Sequence, residues 1–432
     1  MRLDRLFGFK LLFLILTYKY FIAAQQKTFY ITILMKYVID LFCGIGGFSC
    51  GTHMAGAKVL ACFDMWEKAL AIHYHNYPET DHFLIPLGGD IKLFSKQLQN
   101  YLNIKGVQKQ NVHIHASPPC QSFTGMNSHY KVEVKDRTDD KINLFYWTLE
   151  FMKTFDTPTW SIEQVPNALK HLTTNNHWVL TEHSVNIYDR VYGYEFGAPT
   201  MRRRIFILNN ILLTGTNLYS TTYKKRKKIN KHEISPLNTI YDGESSNPFI
   251  EEQKKHNHTL CVHTLKHKLQ FLQPDGSYVY VPVRRDLGES LHCINRSIGA
   301  LCAPELQLWT QYADTDNETK RLIAYDFAMQ YLHNKNHRIH QSRDNYMKHM
   351  ERKNGMWKFV RNATTEERLF IQGFPSVFKA NQQEHIVKYY SSFDLTPQKK
   401  SIMINRIDIL RATGNTVIPL IAKEIIHNIQ IK

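Results

Sequence analysis

Residues 37–51, YVIDLFCGIGGFSCG, constrain this chain more than any other stretch. Tyr37, Val38, Ile39, Leu41 and Phe42 form a short apolar run rich in strand formers, closed by Gly44, Gly46 and Gly47 and followed by helix-compatible residues. A strand, a glycine turn and a helix are therefore predicted in that order. Glycines let the backbone approach a bound group closely, and the exposed N–H groups at a helix start favour a negative or polar one. A GxGG turn alone serves many folds. Here a second predicted strand, 58–63 (KVLACF), ends at Asp64 about twenty residues past the turn, where an acid can hold the two ribose hydroxyls of a nucleoside. Asp90, in Gly89-Asp90-Ile91, adds a second loop carboxylate. Strand, turn and two spaced acids point to a nucleoside cofactor on an α/β sheet.

The same sheet is expected to carry a nucleophile. Residues 112–116 read as a buried strand running into SPPCQSFT (117–124). Two prolines stiffen this turn and remove two backbone donors, so Cys120 is held at a strand end, where α/β enzymes bind their ligands. The other six cysteines, Cys43, Cys50, Cys62, Cys261, Cys293 and Cys302, read as structural. With no CxxC pair among the seven, neither a disulfide scaffold nor a zinc knuckle is expected, no metal is predicted, and a reducing compartment follows. A catalytic thiolate needs a proton-transfer group and a charge stabiliser beside it. Residues 159–162 lead as a strand into Glu163-Gln164-Val165-Pro166, and GAPTMRRR (197–204) leads into a strand over 205–208. Extended backbone turns Arg202 and Arg204 to one face and Arg203 to the other.

Composition sets the partner class. At 43% hydrophobic and 21% charged residues, the 432-residue chain can bury a sizeable core and is not disordered in composition. Its 54 Lys+Arg against 38 Asp+Glu leave a formal charge of +16, which draws polyanions such as nucleic acid. The apolar opening, Leu6 to Ala24, is interrupted by Lys10 and Lys19. Its unbroken run, Leu11 to Leu16, falls far short of the roughly 18 residues that span a bilayer. Met35 opens the first strand segment, so residues 1–34 are read as an N-terminal extension outside the functional protein, which is expected to be neither membrane-bound nor secreted.

Six motifs, DLFCGIGG (40–47), SPPCQSF (117–123), IEQVP (162–166), GAPTMRRR (197–204), TEER with QGFP (365–368 and 372–375) and GNTVIP (414–419), follow the order of the cytosine-5 DNA methyltransferases. Over roughly residues 35–208 and 361–432 the chain resembles that family. The resemblance implies an α/β fold: a Rossmann-like methyltransferase sheet with a smaller, mixed target-recognition domain inserted before the C-terminal helix. Residues 35–208 would form the catalytic and cofactor-binding domain, 209–395 the recognition domain, and 396–432 a segment completing the catalytic domain. It further implies S-adenosylmethionine as methyl donor and a cytosine flipped out of double-stranded DNA. A monomer is expected wherever the DNA is, cytoplasm or nucleus, with a cognate restriction endonuclease as a candidate partner.

By the same match, Cys120 attacks the ring C6, Glu163 holds and protonates N3, and Arg204, with Arg202 near it, holds O2. Phe42 would lie against the adenine, Gly44 and Gly46 at the methionine end, Asp64 on the ribose, Met65 beside the adenine and Asp90 on its amino group. Asn415 and Val417 would close the pocket, and Pro119 is counted with these cofactor residues. Gln121 and Thr124, beside the nucleophile, and Lys225 and Arg226, in the basic run 224–228, are the candidate nucleic-acid contacts. Two departures keep polar capacity: Thr200 stands where the family most often has Gln, and Gln164 replaces the usual Asn. A tRNA cytosine-5 methyltransferase on the same scaffold is the nearer alternative, since SPPCQ followed by Phe-Thr is common in that branch; its CFT signature is absent from the recognition region. A catalytically silent nucleic-acid-binding homologue is the other, and intact Cys120, Glu163 and Arg204 stand against it. A hairpin is predicted around Pro274-Asp275-Gly276, a helical stretch over 320–332, and a C-terminal helix after Pro419 with Leu420, Ile421, Ile425 and Ile429 as its apolar stripe.

Overall fold

The computed structural model describes residues 37–120, 123, 140–200, 202–213, 248 and 363–430, and the backbone of five strands between 260 and 362. Residues 1–34, Gln121, Thr124, Lys225, Arg226 and the stretch 320–332 lie outside the described residues.

Strands β1 (Tyr37–Leu41), β2 (Lys58–Asp64), β4 (Val112–Ala116) and β5 (Thr159–Gln164) fall where the apolar runs place them, and β3 (Asp81–Leu84) joins them. Helices α1 (Gly47–Met54), α2 (Glu67–Asn76), α3 (Ile91–Ile104), α4 (Asp140–Phe155) and α5 (Ala168–Thr174) alternate with or follow these strands, which makes the neighbouring strand pairs parallel. β6 (Val185–Tyr192) and β7 (Arg203–Asn209) then add an antiparallel edge beside β5.

Between 260 and 362 the backbone forms two small antiparallel sheets. Strands β8 (Leu260–Thr264), β11 (Leu306–Tyr312) and β12 (Met356–Asn362) make one, and β9 (Lys268–Leu272) with β10 (Tyr278–Pro282) makes the predicted hairpin. The chain continues through α6 (Thr365–Gln372), β13 (Glu384–Tyr390), β14 (Pro397–Met403), α7 (Arg406–Asn415) and α8 (Pro419–Gln430). β13 pairs with β3, so the large sheet has nine strands in the order β14-β13-β3-β2-β1-β4-β5-β7-β6. The large sheet therefore already takes in residues 384–390, which sequence reasoning groups with the recognition domain.

The sheet is covered on both faces. Ile39, Leu41, Phe63, Phe83 and Ile114 pack under α3 and α4, against Phe94, Leu98, Phe145, Leu149 and Phe151. On the opposite face Val38, Val59, Phe206 and Leu208 receive Ile421, Ile425 and Ile429 of α8, three of the four predicted stripe residues, together with Ala422, while the fourth, Leu420, is only partly buried against them. α8 can lie this close because α1 presents glycines to it. A Cβ on Gly51 would overlap the Pro419 carbonyl oxygen and approach Ala422 Cβ to 2.5 Å. α2, α6 and α7 complete this face with β13 and β14 around Ile72, Leu369, Phe374 and Ile409. Strand order reverses between β1 and β4, which sets a crevice at their carboxyl ends.

Candidate active site

That crevice collects most of the residues singled out in the sequence. Phe42, Gly44, Asp64, Met65, Pro119, Cys120, Glu163, Arg202, Arg204 and Asn415 line one cleft. The turn after β1 is strongly bent: Phe42, Gly44 and Gly46 all have positive φ (57°, 55° and 91°), a strain tolerated in a non-glycine residue mainly at functional sites. Asp64 braces this turn. Its Oδ2 accepts from the Gly44 N–H at 2.8 Å and its Oδ1 from the Trp66 N–H at 2.8 Å. Burial nevertheless raises the Asp64 carboxyl above its ordinary range, with the Trp66 and Gly44 N–H groups opposing.

Cys120 leaves the end of β4 through Pro118 and Pro119. Gln164, at the end of β5, holds that loop: its Nε2 donates to the Pro118 carbonyl at 3.0 Å and its Oε1 accepts from the Val165 N–H at 2.8 Å. The residue that departs from the family pattern therefore still positions the nucleophile's turn. Asn167 adds a donor to the Phe123 carbonyl at 2.9 Å. Beside the thiol, Arg204 Nε meets Glu163 Oε1 at 2.7 Å, with side chains 16% and 8% exposed. Burial pushes the Cys120 thiol up; the Arg204 and Arg202 cations pull it down, Glu163 pushes it up, and the net direction is upward.

Arg202 lines the cleft but also reaches across the molecule, its Nη1 donating to the Gly414 carbonyl at 2.5 Å. This contact ties the C-terminal end of α7 to the β7 side of the cleft and brings Asn415 to the lining. Three predicted cofactor residues sit elsewhere. Asp90 is exposed and caps α3, accepting from the Leu93 N–H at 2.9 Å. Val417 is buried in the core beneath α8, and Gly46 makes room for the His73 ring. Trp66, Ile85, Leu87, Leu144, Arg411 and Ala412 line the cleft without having been singled out. Trp66 and Arg411 stack, the guanidinium 5.0 Å from the ring centroid, and their only signal in sequence is adjacency to Asp64 and to the 414–419 motif.

The family model for C-5 cytosine-specific DNA methylase matches residues 36–430. The chain belongs to this family. Among its relatives is the Type II methyltransferase M.DdeI of Desulfomicrobium norvegicum, 23% identical over 48% of this chain. DNA (cytosine-5)-methyltransferase 1 of Gallus gallus is 39% identical over 21% of it. The matched regions are 45% and 6% of those two proteins, so the chain spans less than half the length of either. The S. pombe Dnmt2 methyltransferase superposes with a TM-score of 0.46 at 14% identity over 92% of this chain and 97% of that one, a likeness too distant to bear on function.

The methyl donor of this C-5 cytosine methylase family is S-adenosylmethionine, and the cleft fits it. Phe42, Trp66, Ile85 and Leu87 offer a wall for a flat purine. Each Asp64 oxygen keeps a lone pair beyond its backbone bond, enough for ribose hydroxyls. At Gly44 no heavy atom lies within 4 Å of where a Cβ would stand, which leaves the backbone open to a ligand.

Proposed function

We propose that this methylase transfers a methyl group to C5 of a cytosine flipped out of double-stranded DNA. The observation that carries this reading is the meeting of Cys120, at the end of β4, with the Glu163–Arg204 pair in the cleft that also holds the glycine turn and Asp64. Bound S-adenosylmethionine would supply an electrophilic methyl group, held by Phe42, Gly44, Asp64, Met65, Trp66 and Asn415.

The chain's own side chains do the rest. The Cys120 sulfur forms a bond to ring C6, and the electron pair of the C5–C6 double bond becomes available at C5 for the methyl group. Glu163 hydrogen-bonds and protonates N3, so the adduct is a neutral enamine, and Arg204 holds O2 where negative charge develops. Glu163 takes back the N3 proton, and loss of the C5 proton to a base with departure of the Cys120 thiolate restores the aromatic ring. Burial holds the free thiol above its ordinary range, so Cys120 gives its proton to solvent before the thiolate attacks, and the Arg204 and Arg202 cations are the groups that favour that ionisation. Duplex DNA is the substrate favoured by the relatives' names, DNA (cytosine-5)-methyltransferase 1 among them, and by the +16 charge. The Type II relative makes a restriction endonuclease the partner to look for.

Purified protein incubated with methyl-labelled S-adenosylmethionine should label duplex DNA and leave tRNA unlabelled. Cys120→Ser should abolish transfer while DNA binding persists. Label on tRNA alone would refute the substrate, and turnover by Cys120→Ser would exclude the nucleophile.

A further inference from the structure

Behind the glycine turn, away from the cleft, lies a cluster that methyl transfer does not use. Sheet register sets Asp40 of β1 beside Cys62 of β2, and Cys62 beside His82 of β3, so their side chains stand on one face. α2 covers that face and brings in His73; the turn after β1 brings in Cys43. All five residues are buried.

The donor atoms converge. One ligand atom each from Cys43, Cys62 and His73 lies within 4.8 Å of the others. Cys62 Sγ is 3.8 Å from His73 Nδ1, and His82 Nε2 is 2.9 Å from the same nitrogen. A tetrahedral zinc held by two thiolates and two imidazoles separates N from S by about 3.5 Å and N from N by about 3.3 Å. Both measured separations lie within a few tenths of an ångström of those values; His82 stands outside the mutual 4.8 Å cluster of the other three, so it must shift inward to close the fourth position.

Outer partners fix the rings for such a role. His82 Nδ1 donates to the Thr80 carbonyl at 2.7 Å, which leaves its Nε2 bare. His73 Nε2 lies 2.9 Å from Ser49 Oγ, and Ser49 Oγ donates to Asp40 Oδ2 at 2.7 Å. With Ser49 donating to the carboxylate, His73 Nε2 carries the ring proton and Nδ1 is bare as well. Two bare nitrogens at 2.9 Å repel unless a cation lies at their common focus. A carboxylate–hydroxyl–imidazole chain is the kind of outer shell that orients a metal-bound histidine. Protons alone satisfy the same contacts in two ways. In one, a doubly protonated His73 donates to Ser49 and to His82 beside an ionised Asp40. In the other, a protonated Asp40 donates to Ser49, Ser49 to His73, and His73 Nδ1 to His82, and the burial that raises the Asp40 carboxyl favours this second arrangement.

We propose that Cys43, Cys62, His73 and His82 form a closed structural site for a zinc-type divalent cation. Two thiolates and two imidazoles suit zinc and exclude magnesium and calcium, which prefer oxygen ligands. Binding replaces the two thiol protons, so the dication and its two thiolates cancel in charge inside the core. Four protein ligands leave no position for water or substrate, which makes the role structural. The ion would clamp the first turn to β2, β3 and α2. It would also reach the cleft through packing, since a Cβ on Gly46 would lie 2.7 Å from His73 Cδ2.

The full chain, dialysed into metal-free buffer, is analysed for metal by mass spectrometry; a chelator-stripped sample is then titrated with Co2+. About one zinc per chain is expected, as is a thiolate-to-cobalt charge-transfer band with intense tetrahedral visible bands at one equivalent of Co2+. Cys62→Ser and His82→Gln should each weaken Co2+ binding at least tenfold, while Cys120→Ser keeps it, which separates this site from the cleft. Should a variant fail to fold, the wild-type spectrum decides alone. A metal-free protein that gives no such bands overturns the proposal and favours the protonated Asp40 chain. The readout is metal binding, so failure here leaves the reading of the cleft untouched.

Discussion

The Glu163–Arg204 pair offers a test of the cleft that does not depend on turnover. Its atoms are 2.7 Å apart and its side chains only 8% and 16% exposed, so neither half can be removed without leaving the other in a poorly solvated place. Breaking a buried pair on one side costs about 3–5 kcal/mol, most of it the penalty of the orphaned charge. Arg204→Met should cost at least about 3 kcal/mol, because the charge it orphans is Glu163, the more buried of the two. Glu163→Gln with Arg204→Met removes the orphan as well, so the double variant should lose less than the sum of the two single losses, by a coupling on the order of 2 kcal/mol. Urea unfolding of the four proteins, followed by tryptophan fluorescence, reads this directly. Trp160 lies on β5 three residues before Glu163, and a common slope converts midpoints to free energies. All three variants should be inactive, so activity does not discriminate. If Arg204→Met lies within about 0.5 kcal/mol of wild type, the range of an ordinary surface change, or if the losses simply add, Arg204 does not sit opposite Glu163.

Three further outcomes are expected. Gln164→Ala removes the donor to the Pro118 carbonyl and should lower kcat about tenfold, the worth of one hydrogen bond near 1.4 kcal/mol, with the KM for DNA little changed; an unaltered kcat would mean that the Cys120 turn is held by its prolines alone. Because burial outweighs the two arginines at Cys120, iodoacetamide inactivation of the free enzyme should be slow at pH 7 and still rising at the ordinary thiol pKa of about 8.5; a plateau at neutral pH would contradict the raised thiol. Gly51→Ala forces α1 and α8 apart against backbone atoms and should destabilise by more than the roughly 1–3 kcal/mol of ordinary overpacking, visible as a lowered thermal midpoint; a wild-type midpoint would show that the helices are not in contact there.

Much of the cleft was legible because its chemistry is carried within single loops. The PPC turn, the EQVP strand end and the RxR segment each hold their residues at fixed short spacing, and each reaches the lining through Cys120, Glu163, Arg202 and Arg204. Positions whose role depends on packing between distant elements were not legible. An acid before a helix reads equally as a ligand group or as a cap, and Asp90 caps α3. Val417 sits in a motif that meets the cleft at Asn415, yet two residues on the chain has turned into the core under α8. Trp66 and Arg411, 345 positions apart, meet only because α7 docks on α2, where Lys68 and Asp408 also pair at 2.8 Å.

The thiol–imidazole cluster shows the same limit more sharply. Cys43 and Cys62 are nineteen residues apart with no CxxC between them, so linear spacing predicts two inert cysteines. Pairing of β1 with β2 shifts by one residue between Val38 and Ile39, so that Ile39 faces Ala61 and Asp40 faces Cys62. Without that shift Asp40 would stand beside Ala61, and Cys62 would turn to the face that Leu41 buries under α3 and α4. One irregularity in a parallel ladder thus decides whether a sulfur joins His73 and His82 or disappears into the hydrophobic core. The glycine turn lies between that cluster and the cleft: Gly44 opens toward the ligand side, while Gly46 makes room for the His73 ring. A sequence motif read for one face of a turn can therefore hold the requirements of both.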